Sequence, residues 1–363
     1  MEQLEFHKGN ESALMEKKEN KQLHTGSLYH CSDTKNTFFA ISGNMLDRYS
    51  SAVGWQSASQ GEIFNNYEKN HALGMYSHAE GCETIASGKI DKDGNIIGRA
   101  PDNSCTHAEG YRTSALGPNS HAEGLGTLSE GETSHAEGYK TIAQGKYSHA
   151  EGEYSKAQNQ ASHAEGGSCL ATGLYSHAEG CNSGNTSTTA SGVGSHAEGW
   201  GTSARGDASH AEGELTVAYL GCHAEGQKTT AGANSSEGAF AHAEGISSAA
   251  PGKGSHAEGE STLAQAKFSH AEGGACKALG NYSHVEGCNY ANTSTITTEN
   301  AEGAHAEGRG TTAKGTGAHS EGCLTIAEGN YSHAEGCFAT VTSGDPVQTI
   351  AFGLGAHAEG AGS

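Results

Sequence analysis

Ser77-His78-Ala79-Glu80-Gly81 is followed, six residues after its histidine, by Thr84-Ile85-Ala86-Ser87-Gly88. The first half returns as a His-x-Glu-Gly tetrapeptide eighteen times between His78 and Gly360, usually fourteen residues from the next copy. The second half returns more loosely, as in Thr141-Ile142-Ala143-Gln144-Gly145 and Thr202-Ser203-Ala204-Arg205-Gly206. Repetition at a fixed short period is the signature of a solenoid, because so small a unit cannot bury a face of its own and must stack on its neighbours. Each half is a seven-residue unit, about five residues of alternating pattern and then a turn at Gly. Alternation with period two argues strand, and seven residues leave no room for a helix. The expected coil is a flattened loop of two short strands. Stacked coils then make two parallel sheets, an all-β parallel β-roll solenoid.

A roll this narrow accommodates only small residues between its sheets, so Ser, Thr and Ala are expected inside and His and Glu outside. The outward positions of the second half vary freely, as Ile85 and Ser87, Leu128 and Glu130, or Lys156 and Gln158 show. Those of the first half hardly vary. They are His78 and Glu80, His107 and Glu109, His121 and Glu123, His135 and Glu137, His149 and Glu151, and His163 and Glu165. The series continues with His177 and Glu179, His196 and Glu198, His210 and Glu212, His223 and Glu225, His242 and Glu244, and His256 and Glu258. It ends with His270 and Glu272, His284 and Glu286, His305 and Glu307, His319 and Glu321, His333 and Glu335, and His357 and Glu359. A face held constant through so many coils is expected to meet another ordered surface, the simplest being the same face of a second copy.

These residues resemble the YadA-like head repeat of trimeric autotransporter adhesins, also found in phage fibre proteins, whose coil reads approximately Ser-Val-Ala-Ile-Gly-x-x-Ser-x-Ala-x-Gly-x-x. The resemblance runs from about Ser50 onward, and Ser50-Ser51-Ala52-Val53-Gly54 with Ser57-Ala58-Ser59-Gln60-Gly61 is closer still to the family form. It implies a left-handed parallel β-roll that assembles as a homotrimeric rod through its inner strands. It also implies a fibre or adhesin-like shaft, of phage-tail or surface-appendage type. The chemical departure is that His and Glu stand where the family has Val and Ile.

The formal net charge is −21, and the motif glutamates supply most of it. In a trimer each layer would bring three carboxylates near one axis and repeat them about 4.8 Å away, where two like charges repel by roughly 3 kcal/mol at an effective dielectric of 20. Such a column requires compensation, and the histidine two residues earlier is placed to give it. Three arrangements are open: Glu accepts a hydrogen bond from a His of the same or a neighbouring chain; the same His residues converge on transition-metal ions (Zn, Ni, Cu or Fe) with Glu as co-ligand or orienting acceptor; or both face water as a polyvalent binding surface. The first two predict loss of the trimer on acidification. No cofactor is required by the first.

Three regions are expected. Residues 1–36 are polar and without periodicity, a flexible or docking segment; residues 37–74 are irregular opening coils with Phe38, Phe39, Trp55, Phe64 and Tyr67 as a cap; residues 75–363 are the repeats. Departures from the period mark insertions after His78, His177, His223, His284 and His333. The first carries a hairpin turn at Asp93-Gly94; a calcium loop there lacks the distal Glu. Loops on a rigid shaft are where contact with a host surface or glycan receptor is expected. Cys169 and Cys276 take the inward Thr position, and Cys82, Cys181, Cys288, Cys323 and Cys337 follow the motif Gly, read as a turn. Reduced thiols are expected at all of them.

Aromatic residues make up 6% of the chain, and Gly numbers 54 of 363, which excludes a large aromatic core. The N-terminus lacks the apolar run of a signal peptide, and no stretch is long enough to span a bilayer. The expected setting is a virion or extracellular appendage synthesised in the cytoplasm. Neither nucleic acid nor membrane insertion is expected. The sequence stops shortly after the last motif, which suggests end-to-end self-association into filaments or a following domain that has been removed. Many equivalent His/Glu pairs are the opposite of one asymmetric pocket, so no enzymatic activity is expected.

Overall fold

The computed structural model describes residues 105–181, 186–233, 239–289, 293–337 and 346–362, together with 77–86 and the strand segments 6–9, 28–31, 37–42, 45–49, 71–72, 88–90, 96–99 and 339–340. It divides into two compact units, Met1–Tyr175 and Ser176–Ser363. Among the described residues there is no helix.

In the first unit each coil contributes a five-residue strand that starts at the motif histidine, such as His121–Leu125, and a two-residue strand such as Leu128–Ser129. The long strands pair in parallel and in register, His121 with His135, Ala122 with Ala136 and Glu123 with Glu137. The short strands form a second parallel ladder, Leu128 with Ile142 and Ser129 with Ala143. The second unit repeats the scheme: His256–Glu260 lies on His270–Gly274, and Leu263–Ala264 on Lys277–Ala278. The two parallel sheets of stacked coils read from the sequence are therefore present. The second strand is shorter than the alternation suggested, because corners consume the residues around it.

A regular coil turns at two residues held in the left-handed region. One lies five residues after the histidine, as Lys140 (φ 53) and Ser261 (φ 58) do; the other lies two residues before the next, as Thr133 (φ 54) and Phe268 (φ 56) do. The motif glycine is not the turn. It stays within the paired ladder, Gly259 opposite Gly273, at φ +109. A Cβ on Gly259 would sit 2.1 Å from the Gly273 carbonyl oxygen, so coil-to-coil contact through the backbone leaves no room for a side chain. Consequently Cys82, Cys181, Cys288, Cys323 and Cys337 end strands instead of occupying turns, which corrects their reading from the sequence.

The interior is built from small side chains, as the narrow spacing demands. Ala122, Ala136, Ala257 and Ala271 are fully buried, beside Thr127, Thr141 and Thr262, and Val285 is the bulkiest of the fully buried side chains. Where a serine precedes the histidine it is buried too, and in coils such as these its hydroxyl donates to the carbonyl three residues back, Ser255 to Gly252 at 2.8 Å and Ser283 to Gly280 at 2.6 Å. It thereby closes the second corner. Cys169 and Cys276 are buried in the inward Thr column, and burial above all pushes the Cys276 thiol up to about 12.

Preceding the coils, Phe6–Gly9, Leu28–Cys31, Thr37–Ser42 and Met45–Tyr49 form a four-stranded sheet across the segments read as polar N-terminus and opening coils. Trp55, Phe64 and Tyr67 lie outside the described residues. In the first insertion Gly88–Ile90 pairs antiparallel with Ile96–Arg99, which flank the expected hairpin turn; Asp93 and Gly94 lie outside the described residues.

Three insertions leave and re-enter the roll through one recurring neck. Thr188, Thr295 and Thr349 each donate from Oγ1 to the carbonyl of the strand-ending cysteine before the insertion (Cys181, Cys288 and Cys337, at 2.9, 2.9 and 3.2 Å). Each also reaches the motif-glycine carbonyl of the next coil, at 2.9, 3.0 and 3.0 Å respectively for Gly199, Gly308 and Gly360. A backbone N–H of that coil, from Gly201, Gly310 or Gly362, donates in turn to the threonine oxygen. An excursion is thus tied off at its base, and the ladder continues beyond it.

Candidate functional site: the histidine and glutamate ladders

Because the strands pair in register, the motif histidines within each unit stand one over the next. In the first unit the rings of His107, His121, His135, His149 and His163 stack with centroids 4.7–4.8 Å apart and planes within 7°. In the second unit the stack runs from His177 through His357 at 4.7–5.0 Å. Glu follows two residues later on the same strand, so its side chain returns to the same face. The face read from the sequence is therefore brought together as two parallel columns.

Within a rung the imidazole Nε2 and the Glu Oε2 lie close without bonding well. They are 3.9 Å apart at His256 and Glu258, 3.8 Å at His135 and Glu137, and 3.4 Å at His149 and Glu151. In fourteen rungs (107, 121, 135, 149, 196, 210, 223, 242, 256, 270, 284, 305, 319 and 333) the Nε2 atom is buried and has no hydrogen-bond partner within the chain. His78 shows what a ring does when less constrained: its strand has one ladder neighbour among the described residues, its plane stands 86° to His107, and its Nε2 reaches Glu80 at 3.2 Å. Stacking holds the other rings in register at the expense of that bond.

Electrostatics favour neutral imidazoles. Burial, and then repulsion from the histidines above and below, lower the pKa of His107, His135, His196, His223, His270 and His305 from the usual value, with the nearby glutamates opposing. His256 is lowered by burial and by His242. Neutral imidazole is also the form that ligates metals. Groups such as His135, Glu137 and His149, or His270, Glu272 and His284, place three ligand atoms within 4.8 Å of one another. Two nitrogens on one ion at about 2.0–2.1 Å are at most about 4.2 Å apart. Rings stacked at 4.7 Å exceed that, whereas the His and Glu of one rung fit. One chain as it stands offers about two ligands per ion, fewer than the usual four.

Sequence reading missed the stacked geometry and the insertion neck. The neck had a signal: Cys181-Asn182-Ser183-Gly184-Asn185-Thr186-Ser187-Thr188 recurs as Cys288-Asn289-Tyr290-Ala291-Asn292-Thr293-Ser294-Thr295, identical at six of eight positions. The sequence matches no family model and no curated protein.

Proposed function

We propose that the chain is a non-enzymatic structural shaft that assembles as a homotrimer through its histidine and glutamate ladders. The observation that carries this reading is the row of buried Nε2 atoms lacking hydrogen-bond partners, since a buried polar atom left unsatisfied costs about 1–3 kcal/mol. A carboxylate from a neighbouring copy answers that need at those fourteen rungs, and the imidazole in return supplies the donor that a carboxylate column lacks. The likeness to YadA-like head repeats supports the same arrangement, with a left-handed roll and polar ladders in place of an apolar centre. A shaft of this kind suits a phage tail or surface appendage, its tied-off loops meeting a host surface or glycan, and end-to-end joining would extend it into filaments. Sedimentation equilibrium at neutral pH tests the assembly: three times the chain mass of 37.1 kDa is expected. A monomer at tens of micromolar concentration refutes it.

The grouped ligand atoms favour a second reading, in which transition-metal ions occupy the ladders. Because one chain offers too few ligands, this reading also needs neighbouring copies. Elemental analysis after dialysis against chelator separates the two: retained Zn, Ni, Cu or Fe at several equivalents per chain favours metal, and none leaves the hydrogen-bonded ladder.

A further inference from the structure

Cys323 and Cys337 end successive strands, His319–Cys323 and His333–Cys337, and are register partners. The other strand-ending cysteines have different neighbours: Cys82 faces Tyr111, Cys181 faces Trp200, and Cys288 lies between Gly274 and Arg309. Register partners on adjacent parallel strands have Cα atoms about 4.8 Å apart, inside the roughly 4.4–6.8 Å that a disulfide spans. Both thiols are free, Cys323 half-buried and Cys337 exposed, so a small oxidant reaches them. Each stands at a strand end, before Leu324 at a corner (φ 56) and before the insertion that re-enters at Thr349.

We propose that Cys323 and Cys337 are a redox-active dithiol that closes into a disulfide between two rungs. The co-reactant is a low-molecular-weight disulfide such as oxidised glutathione. One cysteine thiolate attacks it, forming a mixed disulfide and expelling one glutathione thiolate; the second cysteine thiolate attacks the protein sulfur of that mixed disulfide and expels the other. The two protein thiols lose two electrons and two protons, and glutathione disulfide becomes two thiols. The product ties two rungs covalently beside an insertion, where they are otherwise joined by hydrogen bonds.

The test is to expose the full-length assembled protein to oxidised glutathione, alkylate it under denaturing conditions, and map peptides after cleavage at Glu328, which separates the two cysteines. Expected are a linked pair of peptides carrying Cys323 and Cys337 without glutathione, chains that run as monomers on a non-reducing denaturing gel, and a mixed disulfide on exposed Cys288 as internal control. C323S is expected to leave glutathione on Cys337, and C337S to leave it on Cys323. Glutathione on both residues of the unaltered chain, or a link to another cysteine or another chain, overturns the proposal.

Discussion

Alternate residues of a single strand meet opposite conditions. In His256–Glu260, Ala257 is fully buried against neighbours of its own chain, while His256 and Glu258 stand on the opposite face at 3.9 Å from each other, with the imidazole Nε2 unsatisfied. Constancy has a different cause on each side. The inner face repeats because only small side chains fit, and the glycine repeats because the next coil's backbone lies where its Cβ would go. Nothing in the coil demands His or Glu: the short strand opens with Ile85, Ser114, Leu128, Ile142, Lys156 or Leu170 in successive coils. The inner face is satisfied within the chain, whereas the outer face leaves a row of imidazole Nε2 atoms unsatisfied.

The most severe way to break this contrast is at the glycine. Gly259→Ala puts a Cβ 2.1 Å from the Gly273 oxygen in a backbone conformation that side chains rarely adopt. A loss of about 3–5 kcal/mol is expected, with fraying of the rungs on either side. Chemical unfolding and limited proteolysis read it. An unchanged midpoint would show that coil contact does not fix this residue.

Next comes the outer face. Replacing His242, His256 and His270 together by Ala is expected to leave the β-sheet circular dichroism intact while the assembled mass falls. The stacked rings touch one another and leave the interior alone, so the coil survives their removal. Should the triple variant lose its sheet signal instead, the two faces are not separable and the contrast fails.

Acid sharpens the same point. The histidine pKa values are lowered in the folded chain, so the unfolded chain binds more protons as pH falls below about 6.5, and the stabilisation present above that pH is lost on the way down. Two imidazolium rings 4.7 Å apart repel by roughly 3–4 kcal/mol at an effective dielectric of 20, and by less where water screens them. The melting temperature and the assembled mass are both expected to fall between pH 6.5 and 4, and to stay level between pH 7 and 9. Retention of the full assembled mass at pH 4 contradicts a partner held by these ladders.

Period and residue size made the architecture legible: two halves per coil, Ser, Thr and Ala inside, His and Glu outside. The corners were misread, because a glycine beside a strand end looks like a turn, whereas residues such as Lys140, Tyr147 and Phe268 take the left-handed conformation despite their side chains. The stack itself fixes those corners, one coil dictating the path of the next. Local propensity is overridden, and no single coil reveals it. The site was legible as a list of residues but not as a geometry. Parallel ring stacking and the missing Nε2 partner are consequences of register, which appears once coils are placed on one another.

The smallest effect separates interrupted from uninterrupted coils. Thr262 and Thr295 occupy the same inward column, and both are buried. In the regular coil, Thr262 Oγ1 has no hydrogen-bond partner. At the insertion neck, Thr295 Oγ1 reaches the Cys288 carbonyl at 2.9 Å and the Gly308 carbonyl at 3.0 Å, and accepts from the Gly310 N–H at 3.0 Å. Valine preserves the shape of either side chain and removes its hydroxyl. Thr262→Val is therefore expected to be neutral or slightly stabilising. Thr295→Val is expected to cost about 1 kcal/mol, because it removes the hydroxyl's bonds across the neck and leaves the Gly310 N–H only its 3.0 Å bond to the Cys288 carbonyl. Hydrogen exchange at Gly310 reads the difference directly: faster exchange in Thr295→Val, with none of that change in Thr262→Val, ties the insertion to its neck, whereas equal behaviour of the two variants means that the loop is held by something other than this threonine.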